Sequence, residues 1–107
     1  MMSAVPDWIY FIHPSRENFA ATMTDAEKQV WSEHAERLQR LLDEGVLILA
    51  GPTLGTVNTG IAVFEAPDEQ TARQIMSEDP TITSGMARGE LRGFRASFLR
   101  GRGAPPG

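Results

Sequence analysis

The stretch TDAEKQVWSEHAERLQRLLDEGVLILAGP, residues 24–52, decides the fold because it reads as one helix followed at once by one strand. Thr24 and Glu27 form a capping box, in which each side chain bonds to the backbone amide of the other residue, so the helix is predicted to begin here. Seven side chains then fall within one arc of about 140° around the helix axis. They are Val30, Trp31, His34, Ala35, Leu38, Leu41 and Leu42.

The opposite face of this helix is predicted to meet water. Glu33 and Arg37 lie on it with the spacing of an exposed i,i+4 ion pair. Gly45 supplies the left-handed residue that commonly ends a helix. The apolar residues 46–50 then form a predicted strand, which stops at a Gly-Pro pair.

The other elements flank this unit in a regular order. Three further strands are predicted from runs of β-branched and aromatic residues, at 7–12, 59–65 and 91–99. A second helix starts at Asp68 and ends before Asp79, because Pro80 disfavours helical geometry in the residue before it. Residues 13–23 are a long predicted loop and residues 81–87 a turn or a single helical turn. The order β-α-β-β-α-β predicts an α+β, ferredoxin-like fold with a four-stranded antiparallel sheet and both helices on one face.

The composition excludes several classes of protein. The 107 residues include no Cys and two His, which excludes a disulfide framework, a Cys-ligated metal and a thiol nucleophile. We therefore expect neither a metal site nor an organic cofactor. No apolar run approaches the ~20 residues that span a bilayer, so a cytoplasmic protein without membrane contact is expected.

Charge and length define the expected domain. The net charge is −4, and the arginines near the C-terminus fall in a strand-like stretch, so nucleic-acid binding is not expected. A chain of this length forms one thin core. The predicted organisation is a flexible N-terminus at 1–6, a single domain at 7–99 and a disordered tail at 100–107.

Two of the predicted strands are apolar on both faces. In 8–12 and in 46–49, apolar residues occupy successive positions instead of alternating with polar ones. One face is covered by the helices, and no further segment is left to cover the other. We therefore expect a homodimer that packs sheet to sheet.

His34 is the exceptional residue in the apolar arc of the first helix. A buried, unpaired imidazole costs ~1–3 kcal/mol, so it needs a partner. Asp79 is the candidate, because helices that lie side by side on one sheet face bring His34 towards the end of the second helix. An Asp–His pair orients the imidazole and fixes its tautomer, as a general base requires. The alternatives are a core histidine bonded to backbone or water, and an aspartate that only marks the end of a helix.

Two sequence blocks resemble the YCII-related family. The first runs from His34 through an apolar helical repeat and Gly45 to a strand ending in Ala-Gly-Pro; the second is Asp79-Pro80 followed five residues later by Gly85-Met86. The resemblance implies a dimeric α+β barrel with His34 and Asp79 in a pocket between helices and sheet. Related barrels include isomerases, dehalogenating lyases and cofactor-free monooxygenases that act on small, often cyclic or phenolic molecules.

Five further residues are candidate substrate contacts. Gly51 would let backbone approach the pocket, Pro52 would hold its rim and the Thr53 hydroxyl would meet substrate, although a simple strand end explains Gly51 and Pro52 equally well. Trp31 and Met86 are candidate pocket walls, or ordinary core residues.

Three functions fit these residues. The first is an acid/base enzyme of the lyase, isomerase or dehalogenase type that acts on a small carbonyl or phenolic molecule through His34 and Asp79 without a cofactor. The second is a non-catalytic dimeric module that binds a small ligand or a partner protein. The third is a cofactor-free monooxygenase.

Overall fold

The computed structural model describes residues 5–101. The elements in chain order are β1 (Asp7–Pro14), α1 (Asp25–Asp43), β2 (Leu47–Pro52), β3 (Gly60–Glu65), α2 (Glu69–Ser77), α3 (Pro80–Thr83) and β4 (Ala87–Phe94). The strands form one antiparallel sheet in the order β2-β3-β1-β4. This confirms the predicted α+β, ferredoxin-like fold. Most of the predicted flexible termini, residues 1–4 and 102–107, lie outside the described residues.

Helix α1 begins and ends where its sequence indicates. The Glu27 amide donates to Thr24 Oγ1 at 3.1 Å, and the Thr24 amide donates to Glu27 Oε1 at 2.9 Å. After the C-cap residue Glu44, Gly45 adopts φ +79°. In the middle of the helix, His34 is its one buried residue.

The core lies between the helices and the face of the sheet that carries alternate residues of β1. Tyr10 and Ile12 are 1% and 3% exposed, and Tyr10 packs edge-on against Phe64 of β3 at a centroid distance of 5.7 Å. Ala62, opposite Tyr10 in the register, is fully buried. The phenol oxygen of Tyr10 is therefore carried up from the sheet into the helical layer, where a polar partner is needed.

The last strand differs from its prediction. It spans Ala87–Phe94 and not 91–99, because β1 offers eight residues for pairing and β4 follows them all, from Ala87 opposite Pro14 to Phe94 opposite Asp7. Because the first residues of β4 are polar, a search for apolar runs does not find the beginning of this strand. The chain leaves the sheet after Phe94, and the Ala96 amide then donates to Asp7 Oδ2 at 2.9 Å.

The second face of the sheet is apolar, as its sequence indicates. Ile9, Leu49, Ile61 and Val63 line a cleft of about 390 Å³ that is closed on one side by residues 94–99. Leu49 remains 42% exposed and Phe94 44% exposed. No helix within residues 5–101 is both long enough and apolar enough to cross a membrane.

Gly89 allows the second and third helices to lie close to β4. A Cβ at this position would stand 3.0 Å from Met76 Sδ of α2 and 3.1 Å from Ile82 Cδ1 of α3. We predict that Gly89→Val lowers the free energy of unfolding by about 1–3 kcal/mol through overpacking, measured by urea denaturation. Gly51→Ala is the matched control, since nothing lies within 4 Å of its added Cβ. Equal stability of the two variants would contradict this packing.

Candidate active site

Asp79 lies between two helices and belongs to the start of the second one. Helix α2 ends at Ser77 with Glu78 as its C-cap, and Asp79 is the N-cap of α3. Its Oδ1 accepts from the Thr81 amide at 2.9 Å and from Thr81 Oγ1 at 2.7 Å. The carboxylate follows the C-terminus of α2, but the turn after Pro80 donates to it through the Thr81 amide and hydroxyl.

The structure brings His34 and Asp79 together. His34 Nδ1 is 2.9 Å from both carboxylate oxygens of Asp79. The Tyr10 hydroxyl donates to Asp79 Oδ2 at 2.6 Å. All three residues are buried, with exposures of 5% for His34 and 1% each for Asp79 and Tyr10. A buried carboxylate thus receives bonds from β1, α1 and α3, as a buried charge requires.

These contacts determine the ionisation of the carboxylate and of the phenol. Burial alone would raise the pKa of Asp79, but the hydrogen bond and charge of His34, with the bonds from Tyr10 and Thr81, hold it at about 2. Burial, followed by the charge of Asp79 and the bond to it, raises the pKa of Tyr10. At neutral pH the carboxylate is therefore ionised and the phenol keeps its proton.

The ionised carboxylate determines which nitrogen of the imidazole carries the proton. A carboxylate only accepts, so Nδ1 of His34 donates to it and the neutral ring has its lone pair on Nε2. Within residues 5–101, Nε2 has no hydrogen-bond partner. If Nε2 were also buried, it would be a buried nitrogen without a partner, but the one such side-chain atom in these residues belongs to Arg37. Nε2 therefore keeps access to solvent, and the arrangement is that of a held base with one free nitrogen.

Arg37 is a member of this cluster that the sequence did not reveal. It was expected on the exposed face of α1 as a partner of Glu33, but its side chain is 12% exposed and donates from Nη2 to the Ile75 carbonyl at 2.8 Å. Glu33 instead accepts from Gln29. The helical wheel gives the direction of the Cβ atom and not the reach of a long side chain, which here folds back under the helix.

Tyr10 and Thr81 were also not predicted as site residues, although the sequence contains an indication for each. Tyr10 stands in the middle of a strand predicted to be buried, where a phenol needs a partner. Thr81 follows Asp79-Pro80 at a position where a helix N-cap bonds to amides and hydroxyls of the first turn.

The predicted substrate contacts occupy different places. The Trp31 ring lies 4.8 Å from the His34 ring. Gly51 and Pro52 are the last residues of β2, and Thr53 Oγ1 donates into its own loop, to carbonyls of residues 57 and 59 at 2.9 and 3.0 Å. Met86 lines a separate concavity of about 300 Å³. Within residues 5–101, no three His, Asp or Glu side chains are grouped so as to hold a metal ion.

The fold and this cluster together define a ferredoxin-like α+β domain with a buried His–Asp pair between its helices and its sheet. The chain belongs to the YCII-related domain family, whose sequence model matches residues 8–95. This confirms the family inferred from the two sequence blocks.

A solved structure with the same fold is the 5-chloro-2-hydroxyhydroquinone dehydrochlorinase from Burkholderia phenoliruptrix AC1100, in complex with 2,5-dihydroxybenzoquinone. It superposes with a TM-score of 0.62 over 82% of this chain and 93% of its own, at 14% sequence identity. At that identity the likeness concerns the fold. A comparison with curated proteins found no match.

The depressed pKa of Asp79 predicts a pH dependence of stability. A carboxyl titrating at about 2 in the folded state and near 4 in the unfolded state stabilises the fold above pH ~4 by roughly 2 kcal/mol, and that contribution is lost as the pH falls towards 2. Asp79→Asn removes it. The difference in unfolding free energy between wild type and this variant should therefore be largest near pH 6 and narrow below pH ~4.

The measurement is urea denaturation at pH 3 to 6. Asp43→Asn serves as a control, because Asp43 is an exposed carboxylate at the end of α1. If the difference in unfolding free energy between wild type and Asp79→Asn stays constant from pH 3 to 6, the lowered pKa of Asp79 would be contradicted.

Proposed function

We propose that the protein is a cofactor-independent acid/base enzyme of the lyase, isomerase or dehalogenase type, acting on a small carbonyl or phenolic molecule. The observation that carries the proposal is the geometry of His34: Nδ1 lies 2.9 Å from the buried, ionised carboxylate of Asp79, and Nε2 has no hydrogen-bond partner among the described residues 5–101. That is the arrangement of a general base whose tautomer is fixed before substrate arrives.

In this mechanism the chain's own residues move protons and hold charge. His34 Nε2 takes a proton from a hydroxyl or an activated carbon of the substrate, and the resulting imidazolium is stabilised by the Asp79 carboxylate. Tyr10 and Thr81 keep donating to Asp79, so the carboxylate does not need to reorganise as the charge on His34 changes. The proton then returns from Nε2 to another atom of the substrate.

The named activity of the dehydrochlorinase with this fold supplies a concrete reaction to propose. In loss of HCl from a chlorinated hydroxyhydroquinone, Nε2 first moves a proton from a ring hydroxyl to the carbon that bears chlorine. It then removes a second hydroxyl proton while the C–Cl bond breaks, and the bonding pair leaves as chloride. The products are a hydroxybenzoquinone, chloride and one proton, so neither an oxidant nor a reductant is needed.

The proposed substrate position is the open side of His34. Trp31, one turn nearer the start of α1, would provide an aromatic wall for a planar ring. Gly51, Pro52 and Thr53, at the end of β2, stay proposed substrate contacts. Met86 stays a predicted wall of the substrate pocket.

We further propose that two copies associate through the apolar face of the sheet. This face carries Ile9, Ile61 and Leu49, and residues 94–99 cover only part of it. An apolar surface of this kind normally has a partner, and a second copy of the chain offers the same surface.

The first test removes the free nitrogen of His34 and keeps its bond to Asp79. In His34→Asn, the amide nitrogen occupies the position of Nδ1, so the fold and its melting temperature should be retained within a few degrees. Turnover should fall at least ~100-fold, the typical contribution of a general base. The assay is chloride release from 5-chloro-2-hydroxyhydroquinone, together with a panel of small phenols and enolisable ketones.

The matched control is His13→Asn, which removes the other histidine of the chain. His13 Nε2 bonds to Glu90 Oε1 at 2.9 Å, so it is already engaged, and its loss should leave turnover within about twofold. Full activity of His34→Asn would refute the mechanism. Ligand binding without turnover by the wild type would favour the non-catalytic module, and substrate-dependent oxygen uptake would favour the monooxygenase.

The second test concerns the dimer. Leu49→Glu places a charge on the apolar sheet face at a residue that is already 42% exposed, so the monomer fold should survive while the dimer dissociates. Leu42→Glu on α1, at 46% exposure, is the matched control and should stay dimeric. Sedimentation at micromolar concentration measures both. A monomeric wild type would contradict the proposed association.

A further inference from the structure

Arg37 presents an unusual combination of burial and incomplete bonding. Its Nη1 is the one buried side-chain nitrogen or oxygen without a hydrogen-bond partner within residues 5–101. Burial of a charged group without its full set of partners is costly, so such an atom calls for a reason. The reason lies in the groups that Nη2 and Nη1, the two ends of the guanidinium, face.

One end of the guanidinium holds the last turn of α2. The Asp79 amide would bond to the Ile75 carbonyl if the helix continued, but it donates to the Met76 carbonyl instead. The Ile75 carbonyl accepts from Arg37 Nη2 at 2.8 Å. A cation at a helix C-terminus is also favoured by the helix dipole. Arg37 thus ties α1 to the turn from which Asp79 projects.

The other end faces the carboxylate of Asp79 without bonding to it. Arg37 Nη1 is 3.9 Å from Asp79 Oδ2, which already accepts from Tyr10 at 2.6 Å and lies 2.9 Å from His34 Nδ1. At that distance the charge acts while the oxygen stays available to the other two donors. Arg37 contributes a charge to the carboxylate and does not compete for its lone pairs.

We propose that Arg37 is a positioning residue for the His34–Asp79 pair, which fixes the place of Asp79 through the Ile75 carbonyl and balances its charge through Nη1. This inference rests on the proposed function. With Arg37 and ionised Asp79 present, the buried cluster has no net charge while His34 is neutral. Without Arg37, a neutral His34 would leave one uncompensated negative charge, and the ring would gain a proton more readily.

The groups that face this cluster are few. Tyr10 from β1 and Thr81 from α3 are neutral donors to Asp79. Glu78, at the end of α2, lies 3.9 Å from Arg37 Nη2 and is 61% exposed, so water screens it. Trp31 adds an uncharged ring beside His34. Arg37 is therefore the positive group that opposes protonation of His34.

The charge is tested by the titration of the His34 ring, followed by ¹⁵N NMR of histidine-labelled protein without any substrate. Arg37→Gln removes the charge, and we expect the midpoint to move to higher pH by about one unit. Arg37→Lys should stay within a few tenths of a unit of wild type. Arg40→Gln, an exposed neighbour on the same helix, is the control and should not change the midpoint.

The position is tested by amide hydrogen exchange at Glu78, Asp79 and Thr81 in Arg37→Lys. A lysine cannot hold the Ile75 carbonyl and face Asp79 with two separate nitrogens, so exchange there should accelerate at least ~10-fold relative to wild type. This measurement decides the proposal if Arg37→Gln does not fold. An unchanged midpoint in folded Arg37→Gln, or unchanged exchange in Arg37→Lys, would overturn it.

Neither measurement depends on turnover, so the two proposals fail separately. An inactive wild type with the expected shifts would refute the enzyme and leave the role of Arg37 standing. If the enzyme is active and depends on His34 but the Arg37 variants show no effect, the role of Arg37 is refuted and the proposed function stands.

Discussion

The burial of one carboxylate constrains the whole arrangement. Asp79 is 1% exposed and ionised, and a charge in that position is tolerated only if every lone pair meets a donor. Its donors come from three elements: Tyr10 on β1, His34 on α1 and Thr81 on α3. The place of the helices over the sheet is therefore coupled to hydrogen bonds that are 2.6–2.9 Å long. Loss of one donor disturbs both the fold and the site.

The same constraint organises the chemistry. Because Asp79 accepts a hydrogen bond from Nδ1 of His34, the lone pair of the neutral ring lies on Nε2, and because Tyr10 and Thr81 also donate, the carboxylate stays ionised. Arg37 completes the charge balance from the side of α2. A cluster of this composition suits proton transfer, since Asp79 and Arg37 hold charges, Tyr10 and Thr81 donate to the carboxylate, and no residue within 5–101 bonds to Nε2 of His34.

Much of the fold was predictable from the sequence, because local signals and global topology agree. The capping box of α1 and Gly45 are local features, and each is found where the sequence indicates. Of the predicted apolar arc, His34, Leu38 and Leu41 face the core, whereas Ala35 and Leu42 are exposed. The beginning of β4 was not predictable in this way. Arg88 and Glu90 do not resemble a buried strand, and they are in the sheet because β1 supplies a partner at each position.

The site was predictable in part for similar reasons. His34 is conspicuous as a polar residue in an apolar arc, and Asp79 stands beside a proline that ends a helix. Periodicity describes where a side chain leaves the helix, whereas Arg37 acts through the length of its side chain, so no helical wheel could find it. A single helical turn was expected after Pro80, but Asp79 was interpreted as the end of the second helix and not as the N-cap of this turn, so its bonds from Thr81 were not predicted.

The most direct test of the account is the tautomer of His34 in the wild-type protein, read from the ¹⁵N chemical shifts and couplings of its ring above the pH at which it titrates. The chain has two histidines, so the His34→Asn variant assigns the signals. The account predicts a proton on Nδ1 and an unprotonated Nε2. A neutral ring with its proton on Nε2 would mean that Asp79 does not hold His34 as a base, and it would contradict the central claim.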